Sequence, residues 1–139
     1  MCHSRLVWRW ASTFNTIASI LLGGILAGLF YVKVMMKNFK EILPTLDDAS
    51  HVQRIELFSG DGRAAGVIEN KPGSHGSIRV YHHLHNKWGS LCVAAAHEGL
   101  AIYAEHTADA KLNPGKHPNI DRLIGIMARK DEFRVEIVS

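Results

Sequence analysis

The amino-acid sequence predicts an α+β domain: a small, mostly antiparallel sheet of about four strands with two helices on one face, preceded by an N-terminal apolar helix. Three observations predict it. Short alternating or β-branched runs at VQRIELF (52–58), RAAGVIE (63–69), SIRVYHHL (77–84) and EFRVEIV (132–138) read as strands. Two stretches with helical spacing lie between the third and fourth of these runs. A charge-free stretch between Arg9 and Lys33 stands apart from everything after it.

With 139 residues there is room for one domain and a short appendage. The appendage is residues 1–35, and the domain is 36–139. Residues 10–32 form a candidate transmembrane helix: as a helix the charge-free span would be roughly 35 Å long, against a bilayer core of about 30 Å. Trp8, Trp10 and Tyr31 fall near its ends, where amphipathic rings favour the interface. Gly24 and Gly28 have the GxxxG spacing that lets two such helices approach closely, so a homodimer is a candidate assembly. A cleaved signal peptide is the weakest reading, since LFYVKVMM offers no small-residue cleavage site. The alternative to an anchor is an upstream mis-start, because Met35-Met36 stands at the composition break.

Within the domain, Asn38 followed by Glu41 is a capping-box pattern for a short helix that Pro44 limits. The runs 52–58 and 63–69 flank the turn SGDG and form a hairpin. NKPGSHG (70–76) is a loop, and 77–84, with Ile78 and Val80 alternating against Arg79 and Tyr81, is the third strand. A long helix is expected over about 91–112, with Gly99 as a point of close packing and Asn113-Pro114 as its stop. Ile120, Leu123, Ile124 and Met127 keep i, i+3, i+4, i+7 spacing, so a second helix runs to about Lys130 before the fourth strand.

Charge narrows the function. The 16 basic residues less Arg5, Arg9 and Lys33 leave 13, equal to the 13 acids, so the domain is neutral and the net charge of +3 belongs to the N-terminal segment. A neutral domain lacks the basic face that nucleic-acid binding requires. Two cysteines make no framework of bridges.

Histidine is over-represented, with eight of nine lying between His51 and His117. His83 and His85, two apart on a strand, would point the same way. On the predicted long helix Glu98, Glu105 and Asp109 form one acidic line, with His106 beside Asp109. His106, Glu105 and Asp109 are the candidate catalytic residues, suited to acid–base work. His106, Asp109, His117 and Asp121 are the candidate ligands if a divalent metal is used; otherwise no cofactor is expected. HEGLA is not the zinc-protease HExxH.

Two loops share a composition: NKPGSHGS (70–77) and NPGKHPN (113–119) each combine Asn, Lys, Pro, Gly and His. The second leads into a helix N-terminus, where amides and dipole favour an anion. Asn70, Lys71, Gly73, Ser74, Lys116 and His117 are therefore the candidate ligand-binding residues for an anionic small molecule. Turn chemistry explains the Pro and Gly residues alone, but a turn has no need of Lys116 and His117.

The segments IENKPGSHGSIRVYHHL, EGLAIYAEHTADA and NPGKHPNIDRL resemble a small bacterial family classed only as a domain of unknown function. The resemblance covers roughly residues 36–138 and implies no activity, cofactor or substrate. Family members begin near the position of Met36, which brings the mis-start level with the anchor. The expected location is the bacterial inner membrane with a cytoplasmic domain if residues 10–32 are an anchor, and otherwise the cytoplasm. Three functions follow as expectations: a module binding an anionic small molecule at the two loops; a metal-dependent or acid–base enzyme using His106, Asp109 and His117; or an interaction or structural domain with no ligand site.

Overall fold

Two β-branched runs joined by a Gly/Asp turn fold onto each other as neighbours. In the computed structural model, which describes residues 37–139, β1 (Arg54–Phe58) and β2 (Ala64–Glu69) form that antiparallel hairpin. The chain then runs through α2 (His75–Trp88), the two-residue β3 (Ser90–Leu91), α3 (Val93–Ile102), α4 (Glu105–Leu112), α5 (Pro118–Arg129) and β4 (Phe133–Val138). Before them, α1 (Phe39–Ile42) has the expected capping box, with Asn38 and Glu41 bonded reciprocally, and passes into a 3-10 turn over Leu43–Thr45.

The sheet order is β2-β1-β4-β3, all antiparallel. Alternation decides its faces. Ile55, Leu57, Ile68 and Val135 are buried toward the helices. Their neighbours Arg54, Glu56, Arg134 and Glu136 form ion pairs on the other face. One core joins these strand residues to Ile78, Tyr81 and Leu84 of α2, to Ala95, Ala96 and Ile102 of α3, and to Ile120, Leu123 and Ile126 of α5. Gly99 is the predicted point of close packing: a Cβ there would lie 2.7 Å from a Leu123 methyl and 2.8 Å from a Leu84 methyl.

The α+β class, the four-stranded antiparallel sheet, the hairpin, the last helix and the last strand match the expectation. Three elements do not. Residues 77–84 are helical rather than a strand, because the stripe Ile78, Tyr81, Leu84 continues at helical spacing and is buried. The fourth strand is β3, at the start of what the sequence presents as a helix. The single long helix is two, α3 and α4, divided at Ala104, whose backbone (φ 48°, ψ −117°) cannot continue a helix. Among the described residues five α-helices therefore stand where a short one and two longer ones were expected.

The candidate anchor at 10–32, and with it the mis-start question, lies outside the described residues. Among the described residues no helix is long and apolar enough to cross a membrane.

Candidate functional site

Two buried tyrosines bring the two helix starts together. Tyr81, fully buried on α2, donates its hydroxyl proton to the Asn119 carbonyl at 2.7 Å and so holds the first turn of α5 against α2. Burial pushes its phenol up to about 12, with Arg122 beside it acting in the opposite sense. Tyr103 donates to Ser77 Oγ at 2.9 Å and fixes the first turn of α2. Burial likewise raises the Tyr103 phenol above its ordinary value, so both remain donors at any physiological pH.

Between these anchors opens a cleft of about 570 Å³. One side is the loop and first turn of α2: Gly73, Ser74, His75, Gly76 and Ser77. Opposite it are Lys116, His117, Pro118, Asn119 and Ile120, and the remaining wall is Phe39, Leu43, Tyr103 and His106. The aromatic wall is ordered, with Phe39 stacked on Tyr103 (centroids 5.3 Å, 19° between planes) and meeting His106 edge-on at 5.2 Å. Gly76 permits this, since a Cβ there would lie 3.0 Å from the Phe39 ring. Gly73 has φ +89°, a left-handed conformation that favours glycine.

Both helices present uncovered N-termini. Neither Ser74 at the cap of α2 nor His117 at the cap of α5 makes a side-chain cap hydrogen bond. The first-turn amides of Gly76, Ser77, Asn119 and Ile120 have no acceptor within a helix and carry the positive end of its dipole.

Asp109 of α4 organises the basic side. Its Oδ2 accepts from Lys116 Nζ at 2.8 Å and lies 2.6 Å from His117 Nε2, while Asn113 Nδ2 donates to Oδ1 at 2.8 Å. Lys116, then His117, hold the Asp109 carboxyl well below the usual carboxylate range. The His117 ring lies 5.9 Å from that of His106. Asp121 accepts from the Gly115 amide at 2.8 Å, which fastens the turn, and Gly115 takes φ +91°.

Of the six residues expected to bind a ligand, Gly73, Ser74, Lys116 and His117 line the cleft. Asn70 faces elsewhere: its Nδ2 donates to the Val52 carbonyl at 2.6 Å and its Oδ1 meets His75 Nδ1, so it positions the His75 ring from behind. Lys71 is exposed and is not among the lining residues. The acidic line is cut at Ala104, which leaves Glu98 on α3 and Glu105 and Asp109 on α4. Glu98 packs against α2, and Glu105 accepts the Phe39 amide at 2.9 Å, tying α1 to α4. His106 Nε2 lies 3.8 Å from Glu105 Oε1.

The four candidate metal ligands are not assembled: Lys116 shares the Asp109 oxygen with His117, and Asp121 is turned to Gly115. Among the described residues no three His, Cys, Asp or Glu side chains form a metal-holding group. His83 and His85, on a helix, do not share a face; His83 lies between Glu98 and Asp47. Sequence reasoning missed the wall of Phe39, Leu43 and Tyr103. The capping box at Asn38 was the available signal for α1, but nothing local says where that helix packs.

The fold and its cleft define a small α+β domain with a basic, aromatic-walled groove between two helix starts. Residues 39–137 match a family described as an uncharacterized protein conserved in bacteria, DUF2322, and the chain belongs to that family. No curated protein and no solved structure matches the chain.

Proposed function

We propose that the domain binds an anionic small molecule in the cleft between the 70–77 and 113–119 loops. The observation that carries this reading is that two loops of shared composition, distant in sequence, face each other across one cleft with Lys116, His117, His75 and His106 on its walls. The uncapped starts of α2 and α5 add hydrogen-bond donors and favourable dipoles at the same place. The stacked Phe39–Tyr103 pair supplies a flat apolar wall, so a ligand with an anionic group and a planar body suits the groove better than a bare ion.

Thermal-shift measurements with phosphates, nucleotides and carboxylates at millimolar concentration test it. Wild type should gain several degrees with at least one class, and Lys116→Ala should lose most of that gain. Equal shifts in both proteins would remove the reading.

A second reading, acid–base catalysis, is favoured by one distance: His117 Nε2 lies 2.6 Å from Asp109 Oδ2 on a cleft wall, the arrangement that orients an imidazole for proton transfer. Chromogenic phosphate and carboxylate esters, assayed with wild type and His117→Gln, test it. Turnover in wild type that the variant lacks supports it, and turnover no faster than buffer removes it.

A further inference from the structure

We propose that Asp109 is a resident counter-anion of the cleft, which holds Lys116 and His117 until a ligand's anionic group takes them over. The inference rests on the cleft being an anion site and adds how that site is regulated.

Lys116 and His117 line the cleft, whereas Asp109 does not and grips them from behind. Both address a single oxygen, Oδ2, at 2.8 and 2.6 Å. The side chains are 59%, 34% and 26% exposed for Lys116, Asp109 and His117, so the pairs are well hydrated and weak enough to exchange. A lysine on a flexible stem can leave one oxygen for another by rotating single bonds. The Asp109 carboxylate cancels one unit of the positive charge that the basic rim presents to an approaching anion. Removing the carboxylate charge makes that rim one unit more positive. Its loss should therefore tighten anion binding. A purely structural Asp109 predicts the opposite sign, because its loss would loosen the 113–117 loop and weaken binding.

Calorimetric titration with inorganic phosphate at pH 7.5 and low salt separates the two. Asp109→Asn should bind phosphate about three- to tenfold more tightly than wild type, the size expected for one screened charge acting on a dianion at this range. The gain should vanish in the double variant Asp109→Asn/Lys116→Ala. If wild type binds phosphate and Asp109→Asn binds it no more tightly, the exchange is wrong and the cleft reading stands. If neither protein binds phosphate, the exchange is wrong, and the cleft reading is decided by the nucleotide and carboxylate arms of the thermal-shift series. Binding by the variant alone is the extreme form of the expected result.

A measurement on wild type guards against a variant that folds poorly. The carboxyl carbon of Asp109, followed by NMR, should shift on saturation with phosphate as Lys116 and His117 leave it. A signal that stays in place overturns the proposal.

Discussion

The molecule contains two clusters built from the same parts, a carboxylate with a lysine and a histidine, and they do different work. Glu98 on α3 accepts from Lys87 at 2.8 Å and Trp88 Nε1 at 2.8 Å and lies 3.2 Å from His83, all on α2. His83 turns its other nitrogen to Asp47 at 3.5 Å. That cluster is a strap between two packed helices, with both Glu98 oxygens occupied by donors of the fold. Asp109, Lys116 and His117 instead come from one short stretch of chain, and two of the three open onto a cleft. Residue type does not separate strap from site. What separates them is whether the polar atoms face other protein atoms or empty, accessible space.

The largest test of that contrast removes the strap. Glu98→Ala leaves the Trp88 indole and the Lys87 amine without their acceptor and should cost about 2 kcal/mol of stability in urea unfolding. The ligand response at a temperature where the variant stays folded should be unchanged. Asp109→Asn should lower the urea midpoint far less, because its pairs lie on an exposed rim and are screened. A Glu98 variant as stable as wild type, or an Asp109 variant that unfolds early, would reverse the assignment of strap and site.

Acid sharpens the comparison with smaller effects. Burial pushes the Glu98 carboxyl up, but hydrogen bonds from Lys87, Trp88 and His83 outweigh it and hold the group below its ordinary value of 4.5. The unfolded chain then takes up the proton first, so this stability is present above pH 4.5 and is lost as the pH falls through that region. Asp109 is held lower still, chiefly by Lys116, so its own loss comes at more acid pH.

His82 acts earlier. Burial, with His51 edge-on at 5.2 Å, lowers its pKa from 6.5, so the folded state resists protonation and stability declines as the pH drops below 6.5. Asp47, Asp48 and His85 also face it, the acids opposing the shift and His85 adding to it. His82→Gln should flatten the stability profile between about pH 7 and 5.5, and Glu98→Gln the part below. Urea unfolding at half-unit pH steps checks both, and profiles parallel to wild type would refute them.

How much of this was legible follows from which interactions are local. The hairpin, α5, β4 and the Asn38–Glu41 capping box depend on neighbours within a few residues, and all can be read from pattern. In α2 the alternation of Ile78 and Val80 is short, and only the continuation through Leu84 to Trp88 reveals the helical stripe. β3 is a strand only because β4, about forty residues later, pairs with it. Lys116 and His117 could be singled out because turn chemistry leaves them unexplained. Phe39 and Tyr103 could not, since their stacking depends on α1 folding back over the start of α4. Asn70 carried the right composition and the wrong direction, which spacing does not encode.

The break between α3 and α4 is what keeps the two clusters apart, and it was invisible because no Gly or Pro marks it. Without it Glu98, Glu105 and Asp109 would follow one helix face. The turn is held by tertiary partners: Thr107 Oγ1 donates to the Leu100 carbonyl at 2.6 Å, Glu105 accepts the Phe39 amide, and Tyr103 is buried. They impose φ 48° and ψ −117° on Ala104, a conformation natural to glycine and strained for any residue with a Cβ. Ala104→Gly should relieve that strain, offset in part by the freedom glycine adds to the unfolded chain, for a net gain of about 1 kcal/mol. Because the turn also sets Tyr103 and His106 on the cleft wall, a more relaxed turn should leave ligand response intact while raising the melting temperature. A variant less stable than wild type would mean that Ala104 is comfortable there, and that the division between the two clusters rests on the partners of the turn alone.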